Sequence, residues 1–242
     1  MTKEYLHIVV NKKTNGHLLQ RFALTLSLTW HYLIILGILA AIFYTVKPLL
    51  GIIPLLLMAF TLFFFRNPKR EIPSGEGLVL SPADGLIMEV DTVEEESFLK
   101  GGSIRVSIFL SIFDVHLNRS PLAGTVTYRH YRPGKFIPAF KSHASDINEK
   151  NYVGIESNGC KVLVCQITGF IARRIKCWAG PGQVLNRGEI FGIIKFGSGT
   201  EIFFSQEAKV YVKKGDRVRA GETIIGVLPG PGLTEEKTRE QT

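Results

Sequence analysis

The strongest constraint on this chain is an uncharged stretch that begins at Phe22. Phe22 to Val46 runs for 25 residues without Asp, Glu, Lys or Arg. Lys47-Pro48 interrupts it, and Pro48 to Phe65 adds 18 uncharged residues before Arg66-Asn67-Pro68-Lys69-Arg70. The core of a bilayer is crossed by about 20 apolar residues in a helix. The first run meets that length. The second is near the lower limit, and Pro54 is expected to kink it. The pattern predicts a transmembrane helical hairpin over residues 22–66, preceded by a cytoplasmic segment, 1–21. One span plus a re-entrant segment is the alternative. A cleaved signal peptide does not fit, because the run is too long, starts too late and is followed by another. Lys3, Lys12, Lys13 and Arg21 lead the hairpin and Arg66, Lys69 and Arg70 trail it, whereas the turn holds only Lys47. Positive flanks favour the cytoplasm, so the expected location is the cell membrane with the following domain facing the cytoplasm. His31, inside the first span, is given no role.

Hydrophobic residues make up 45% of the chain, and most of the excess lies in this block. The remainder has the mixed charge of a soluble domain long enough to bury its own core. The net charge is +8. The basic residues beside the apolar block favour anionic lipid, and no Lys/Arg tract interleaved with aromatics suggests a nucleic-acid partner. Cys160, Cys165 and Cys177 have neither CxxC nor zinc-site spacing. Cys160 and Cys165 read as buried thiols in a reducing compartment. No set of His, Cys and carboxylates has metal-ligand spacing, so no metal is expected.

From Gly77 onward short apolar runs alternate with Gly, Pro, Asp and Asn, the texture of strands and turns. Strands are predicted at 78–80, 85–90, 104–110, 124–131, 152–157, 161–167, 187–196, 200–204, 209–212 and 223–228. A short helix is predicted over Phe170–Lys176, and a turn or short helix over Phe113–Leu117. Ser81 to Ile87 and Lys214 to Ile224 resemble hairpins of the lipoyl and biotinyl carrier fold, where glycines permit tight turns. The expected class is mainly β, a barrel or sandwich with carrier-like hairpins and few short helices, behind the membrane hairpin. This domain is expected over residues 67–230, and residues 231–242 as a disordered tail.

Arg187 to Ile202 contains Gly197-Ser198-Gly199 between two predicted strands. The glycines free the backbone and leave the Gly197 carbonyl open to the Ser198 hydroxyl. A plain hairpin turn explains the same residues. A serine-hydrolase elbow requires G-x-S-x-G, and Phe196 occupies the place of the first glycine. Asp114 and Asn118 flank His116 and read as shaping its turn. Arg132, Lys135 and Lys141 suit a phosphate or plain surface, and His130 reads as a strand residue.

Three ordered segments narrow the choice: Ser81-Pro82-Ala83-Asp84-Gly85, Phe109 through His116 to Gly124, and Phe191 to Ser198. Together with Arg132 to Phe136, Ala139-Phe140 and Ala144-Ser145 through Asn148-Glu149, they resemble the short bacterial and archaeal form of the phosphatidylserine decarboxylases. The resemblance covers roughly residues 70 to 228.

The resemblance implies a proenzyme that cuts itself between Gly197 and Ser198. Asp84, His116 and Ser198 would act as a protease-like triad, in which a base activates the hydroxyl and a carboxylate supports the base. Ser198 would become a pyruvoyl cofactor that forms a Schiff base with the substrate amine and drains electrons as carbon dioxide leaves. The implied partners are phosphatidylserine in the membrane and the two halves of the proenzyme, 1–197 and 198–242, paired as a heterodimer. A higher oligomer stays open. The chain departs from the family pattern in places. Many members carry His-x-x-His where this chain has His116-Leu117-Asn118-Arg119, so His116 serves both steps or another group helps. Gly199-Thr200 stands where the short form often has Arg, and His143 where a lysine is common. Two alternatives remain: the same chemistry on a modified serine lipid, and a non-enzymatic, membrane-tethered carrier-like module. The module would need a modifiable lysine beside Met or Asp at a hairpin tip, and no such pair is present.

Overall fold

Leucine, isoleucine and alanine dominate Leu18–Val46, which forms one α-helix, α1, of 29 residues. At about 1.5 Å per residue its length is ~44 Å, more than a bilayer core of about 30 Å. Large apolar side chains such as Leu19, Phe22, Trp30, Ile34, Ile38 and Ile42 are exposed along it. A helix that is largely apolar and exposed along most of its length suits a lipid environment. After Lys47 a 3₁₀ turn, Pro48–Gly51, leads into α2, Ile52–Phe64, of 13 residues. That second helix is ~20 Å long by the same rise and falls short of a full span. Pro54 lies in its first turn, where no intrahelical N–H bond is due, so the kink expected there has no cause. The helices run antiparallel. Gly51 backs onto Ala40 and Tyr44, Gly37 faces Met58, and Thr25 Oγ1 donates to the Phe65 carbonyl at 3.0 Å.

The computed structural model describes residues 18–135, 147–169, 174–195 and 198–229. They divide into two compact units that meet between Lys69 and Arg70. The expected tail, 231–242, lies outside the described residues.

The second unit is built from β1 (Leu78–Leu80), β2 (Gly85–Glu95), β3 (Gly101–Leu110), β4 (Leu117–Arg119), β5 (Gly124–Arg132), β6 (Lys150–Ser157), β7 (Cys160–Ile167), β8 (Ile175–Cys177), β9 (Val184–Leu185), β10 (Ile190–Ile194), β11 (Ser198–Ser205), β12 (Lys209–Val210), β13 (Arg217–Val218) and β14 (Ile224–Val227). An eight-stranded antiparallel sheet has the order β13-β2-β3-β11-β7-β6-β5-β9. Two three-stranded sheets, β1-β14-β12 and β4-β10-β8, complete the unit. The mainly β class holds.

Alternation explains the strands. In β3, Ile104, Val106, Ile108 and Leu110 turn into the core while Arg105, Ser107 and Phe109 turn away. The central strands β7 and β11 are covered on both faces. Val162, Val164, Ile202 and Phe204 join the main core, and Leu163, Cys165, Ile167 and Phe203 pack with Phe98 on the other side. Such strands read as continuous apolar runs. Cys165 is fully buried, and burial pushes its thiol above the ordinary range; Cys160 and Cys177 are half-buried, and all are free thiols.

Two expectations change. The single strand predicted at 187–196 is a turn at Arg187-Gly188 followed by β10. The helix expected over Phe170–Lys176 falls partly outside the described residues, and its end, Ile175-Lys176, belongs to β8. This segment pairs with β10, and tertiary pairing outweighs local propensity.

Candidate active site

The Asp84 turn is held from several sides. Ser81 Oγ donates to the Ala83 carbonyl at 2.7 Å. A Cβ on Gly85 would run into the Phe109 carbonyl oxygen, so the turn packs against β3 only with glycine there. Both Asp84 carboxylate oxygens accept from Arg70 Nη2, at 2.9 and 2.7 Å, and Oδ1 also accepts from the Ala220 N–H at 2.7 Å. Arg70 lies 3.4 Å from Glu222 as well. Its side chain is 5% exposed, which makes it a buried structural cation rather than a free charge flanking the apolar block, as the sequence suggested.

The His116 turn follows β3. Asp114 Oδ2 accepts from the N–H and hydroxyl of Ser111, at 2.8 and 2.7 Å, and Asp114 thereby shapes the turn as expected. Its other oxygen meets the exposed Arg217 at 3.4 Å. His116 is fully buried, and its Nδ1 lies 2.9 Å from the Asp114 carbonyl. A carbonyl only accepts, so Nδ1 carries a proton, which in a neutral ring leaves Nε2 as the acceptor. Among the described residues no hydrogen bond joins His116 to Asp84.

Ser198 opens β11. It is opposite Leu110 of β3, and from Gly199 the strand is also paired with β7, Gly199 opposite Ile167. Its side chain and Gly197 lie outside what is described. Backbone pairing nevertheless brings the segments together: β11 starts beside the end of β3, from which the His116 turn departs, and Ile194 N–H donates to the His116 carbonyl at 3.2 Å.

A buried polar chain joins these pieces. Asn118 Nδ2 donates to Thr200 Oγ1 at 3.1 Å and to the Pro82 carbonyl at 3.3 Å. Its Oδ1 accepts from Gln166 Nε2 at 2.8 Å, and Gln166 Oε1 accepts from Asn151 Nδ2 at 2.8 Å. A Cβ on Gly192 would sit 2.7 Å from Gln166 Nε2, which accounts for glycine inside β10. Asn118 thus ties the Asp84 turn, the His116 strand, β7 and β11 together. Its reach was not visible in the sequence, because its partners lie 36, 48 and 82 residues away. Alongside, Lys150 and Glu201 form a buried pair at 3.6 Å.

The other candidates are peripheral. His130 sits between the rings of Tyr128 and Tyr152, a strand residue as expected. Lys135 is exposed and Arg132 half-exposed, while Lys141 and His143 lie outside the described residues. Among the described residues no group of three His, Cys, Asp or Glu is close enough for a metal ion. A cavity of about 670 Å³ near Leu78, Leu122, Cys160 and Leu228 has neither Asp84 nor His116 among its described lining residues.

The family model for phosphatidylserine decarboxylase matches residues 57–226. The chain belongs to the phosphatidylserine decarboxylase family. A phosphatidylserine decarboxylase proenzyme of Carboxydothermus hydrogenoformans is 52% identical over 200 residues, covering 82% of this chain and 94% of that protein. One from Symbiobacterium thermophilum is 48% identical, covering 83% of this chain and 94% of its own length. Another from Ehrlichia canis is 45% identical, with coverage of 74% and 80%. The decarboxylase match runs from inside α2 to β14 and therefore contains the Asp84 turn, the His116 turn and the start of β11.

Proposed function

We propose that this family member decarboxylates phosphatidylserine to phosphatidylethanolamine after cutting itself between Gly197 and Ser198. The observation that carries the reading is the double anchoring of β11. Residues from Gly199 onward are bonded to β3 on one edge and β7 on the other. A break before Ser198 would leave the new terminus held in the sheet, so the site fits a group generated from that residue.

In the proposed processing, His116 Nε2 takes the proton of the Ser198 hydroxyl. The oxygen attacks the Gly197 carbonyl, and the peptide becomes an ester. Elimination frees the Gly197 carboxylate and leaves dehydroalanine at position 198. Water then replaces its nitrogen, which departs as ammonia, and a pyruvoyl group caps the small chain. That ketone supplies a sink for the electron pair left when carbon dioxide departs. Asp84 is assigned the third role, favouring the charged imidazole, with Arg70 and the Ala220 N–H fixing its position. Asp114 orients His116 through its carbonyl.

Residues 1–197 and 198–242 would persist as a packed heterodimer, since β11 lies between β3 and β7 of the large chain. We assign residues 1–21 to a cytoplasmic segment, 22–66 to the membrane anchor, 67–230 to the decarboxylase domain and 231–242 to a tail. The domain would face the cytoplasm, where a membrane anchor keeps a water-insoluble substrate within reach. Denaturing electrophoresis with mass spectrometry tests the proposal. A 198–242 fragment with a blocked N-terminus is expected, and an active preparation holding only the intact 27.0 kDa chain with an ordinary serine overturns it.

A further inference from the structure

β8 and β10 are antiparallel, with Ile193 opposite Lys176 and Ile194 opposite Ile175. The ladder continues beyond both strands. Lys195 N–H donates to the Arg174 carbonyl at 3.3 Å, and Trp178 N–H to the Phe191 carbonyl at 2.8 Å. Opposed residues, and residues two apart on one strand, share a face. Arg174, Lys176 and Trp178 therefore form one row, and Lys195 stands opposite Arg174. Lys195 is three residues before Ser198, a chain reach of at most ~11 Å.

Three cations on one face repel one another. Lys176 is held below its ordinary pKa by burial and then by Lys195, and Lys195 by burial and then by Arg174. Neither Arg174 nor Lys176 has a carboxylate partner among the described residues. The Lys176 ammonium lies 5.8 Å from the centre of the Trp178 ring. The Trp178 Nε1–H is buried and donates to no acceptor among the described residues. A buried donor without a partner is uncommon in folded proteins and calls for a cause. A guanidinium, two ammonium groups and an unused N–H together match the oxygens of a phosphate.

We propose that Arg174, Lys176, Lys195 and the Trp178 indole N–H form an anion-binding face that takes the phosphodiester of the lipid substrate's head group. The substrate assignment rests on the decarboxylase reading of Ser198. The face would hold the head group beside the processed terminus, so its loss weakens substrate binding more than it slows turnover.

The test uses the full-length processed protein in mixed micelles of phosphatidylserine and phosphatidylcholine, with carbon dioxide release as the rate. Arg174→Gln and Lys176→Gln should each raise KM about tenfold, the size of one charged hydrogen bond. Self-cleavage, read on a gel, should stay complete. Lys209→Gln, which removes an equal charge on β12, should leave KM alone. A fully cleaved Arg174→Gln/Lys176→Gln protein with unchanged KM overturns the proposal. Inorganic phosphate distinguishes the source of the anion. Competition with substrate in the parent protein, lost in the double variant, means the face takes any phosphate. A raised KM without such competition means it takes the lipid phosphodiester only.

A second readout does not depend on activity. In uncleaved Ser198→Ala protein carrying Trp30→Phe, Trp178 is the remaining tryptophan. Its emission should respond to vesicles containing phosphatidylserine, and the response should vanish with Arg174→Gln/Lys176→Gln. A response that survives those replacements counts against the face. If the parent protein neither cleaves nor decarboxylates, a response that does vanish leaves the anion site standing while the reading of Ser198 falls.

Discussion

Two turns of the β unit each contain an aspartate, and they use it differently. In the turn before β2, Asp84 is clamped by a buried guanidinium and a backbone N–H. In the turn after β3, the Asp114 carboxylate caps its own turn and, among the described residues, meets outside it only an exposed arginine, while its backbone carbonyl contacts His116. One aspartate is bound into the fold through its charge. The other holds the candidate histidine through its main chain. A carboxylate near a candidate histidine is therefore not automatically the group that orients it.

The contrast can be broken in order of effect. Ser198→Ala leaves no hydroxyl for either turn to serve, and both cleavage and carbon dioxide release should disappear. A Ser198→Ala preparation that still decarboxylates would refute the mechanism. His116→Gln removes the proposed base, and the cleavage rate, followed by gel densitometry, should fall by about 10²–10⁴. Asp114→Asn keeps the carbonyl and should cost far less, within roughly tenfold if the base is oriented by the main chain. An equal loss in the two variants would mean that the Asp114 carboxylate itself takes part.

Stability separates the turns further. Arg70→Ala strands a buried carboxylate and should destabilise the chain by about 3–5 kcal/mol in chemical denaturation. Replacing both partners, Arg70→Met with Asp84→Leu, should recover much of that loss. If this double variant also cleaves normally, Asp84 is a clamp and has no part in the chemistry.

A carboxylate in a distant turn gives a reference for these effects. Burial would raise the pKa of Glu95, but hydrogen bonds from the Ser97 hydroxyl and the N–H groups of Leu99, Phe98 and Ser97 outweigh it and hold it below 4.5. A lowered folded-state value stabilises above the unfolded value and is lost as pH falls through the folded one. Glu95→Gln should thus cost ~1.5–3 kcal/mol near neutrality, and the difference from the parent should shrink on acidification below 4.5. A pH-independent difference would show that shape, not charge, is at work. Arg217→Ala, whose side chain is 72% exposed, should change stability by only about 0–1 kcal/mol, since water screens such pairs.

The apolar helical block, the β texture and the ordered motifs were legible in the sequence because each is local. An uncharged run reports an apolar helix, alternation reports a half-covered strand, and glycines mark turns. The boundaries of β1 were read to the residue, and those of β5 and β7 to within one. Length already set the second apolar run apart from the first. β4, β8, β9 and β13 were not read, because strands of two or three residues carry too little pattern and exist only through their partners.

Asp84, His116 and Ser198 were chosen from motif order alone, and their neighbours were not. By itself the sequence determined which residue types are present for the proposed serine-based reaction, and that they follow a long apolar segment. Only the tertiary structure decided that Arg70 belongs to Asp84, that Asn118 binds four segments and that Arg174, Lys176 and Lys195 share a face. Those facts depend on contacts between residues far apart in the chain, and no local propensity encodes the distance between them.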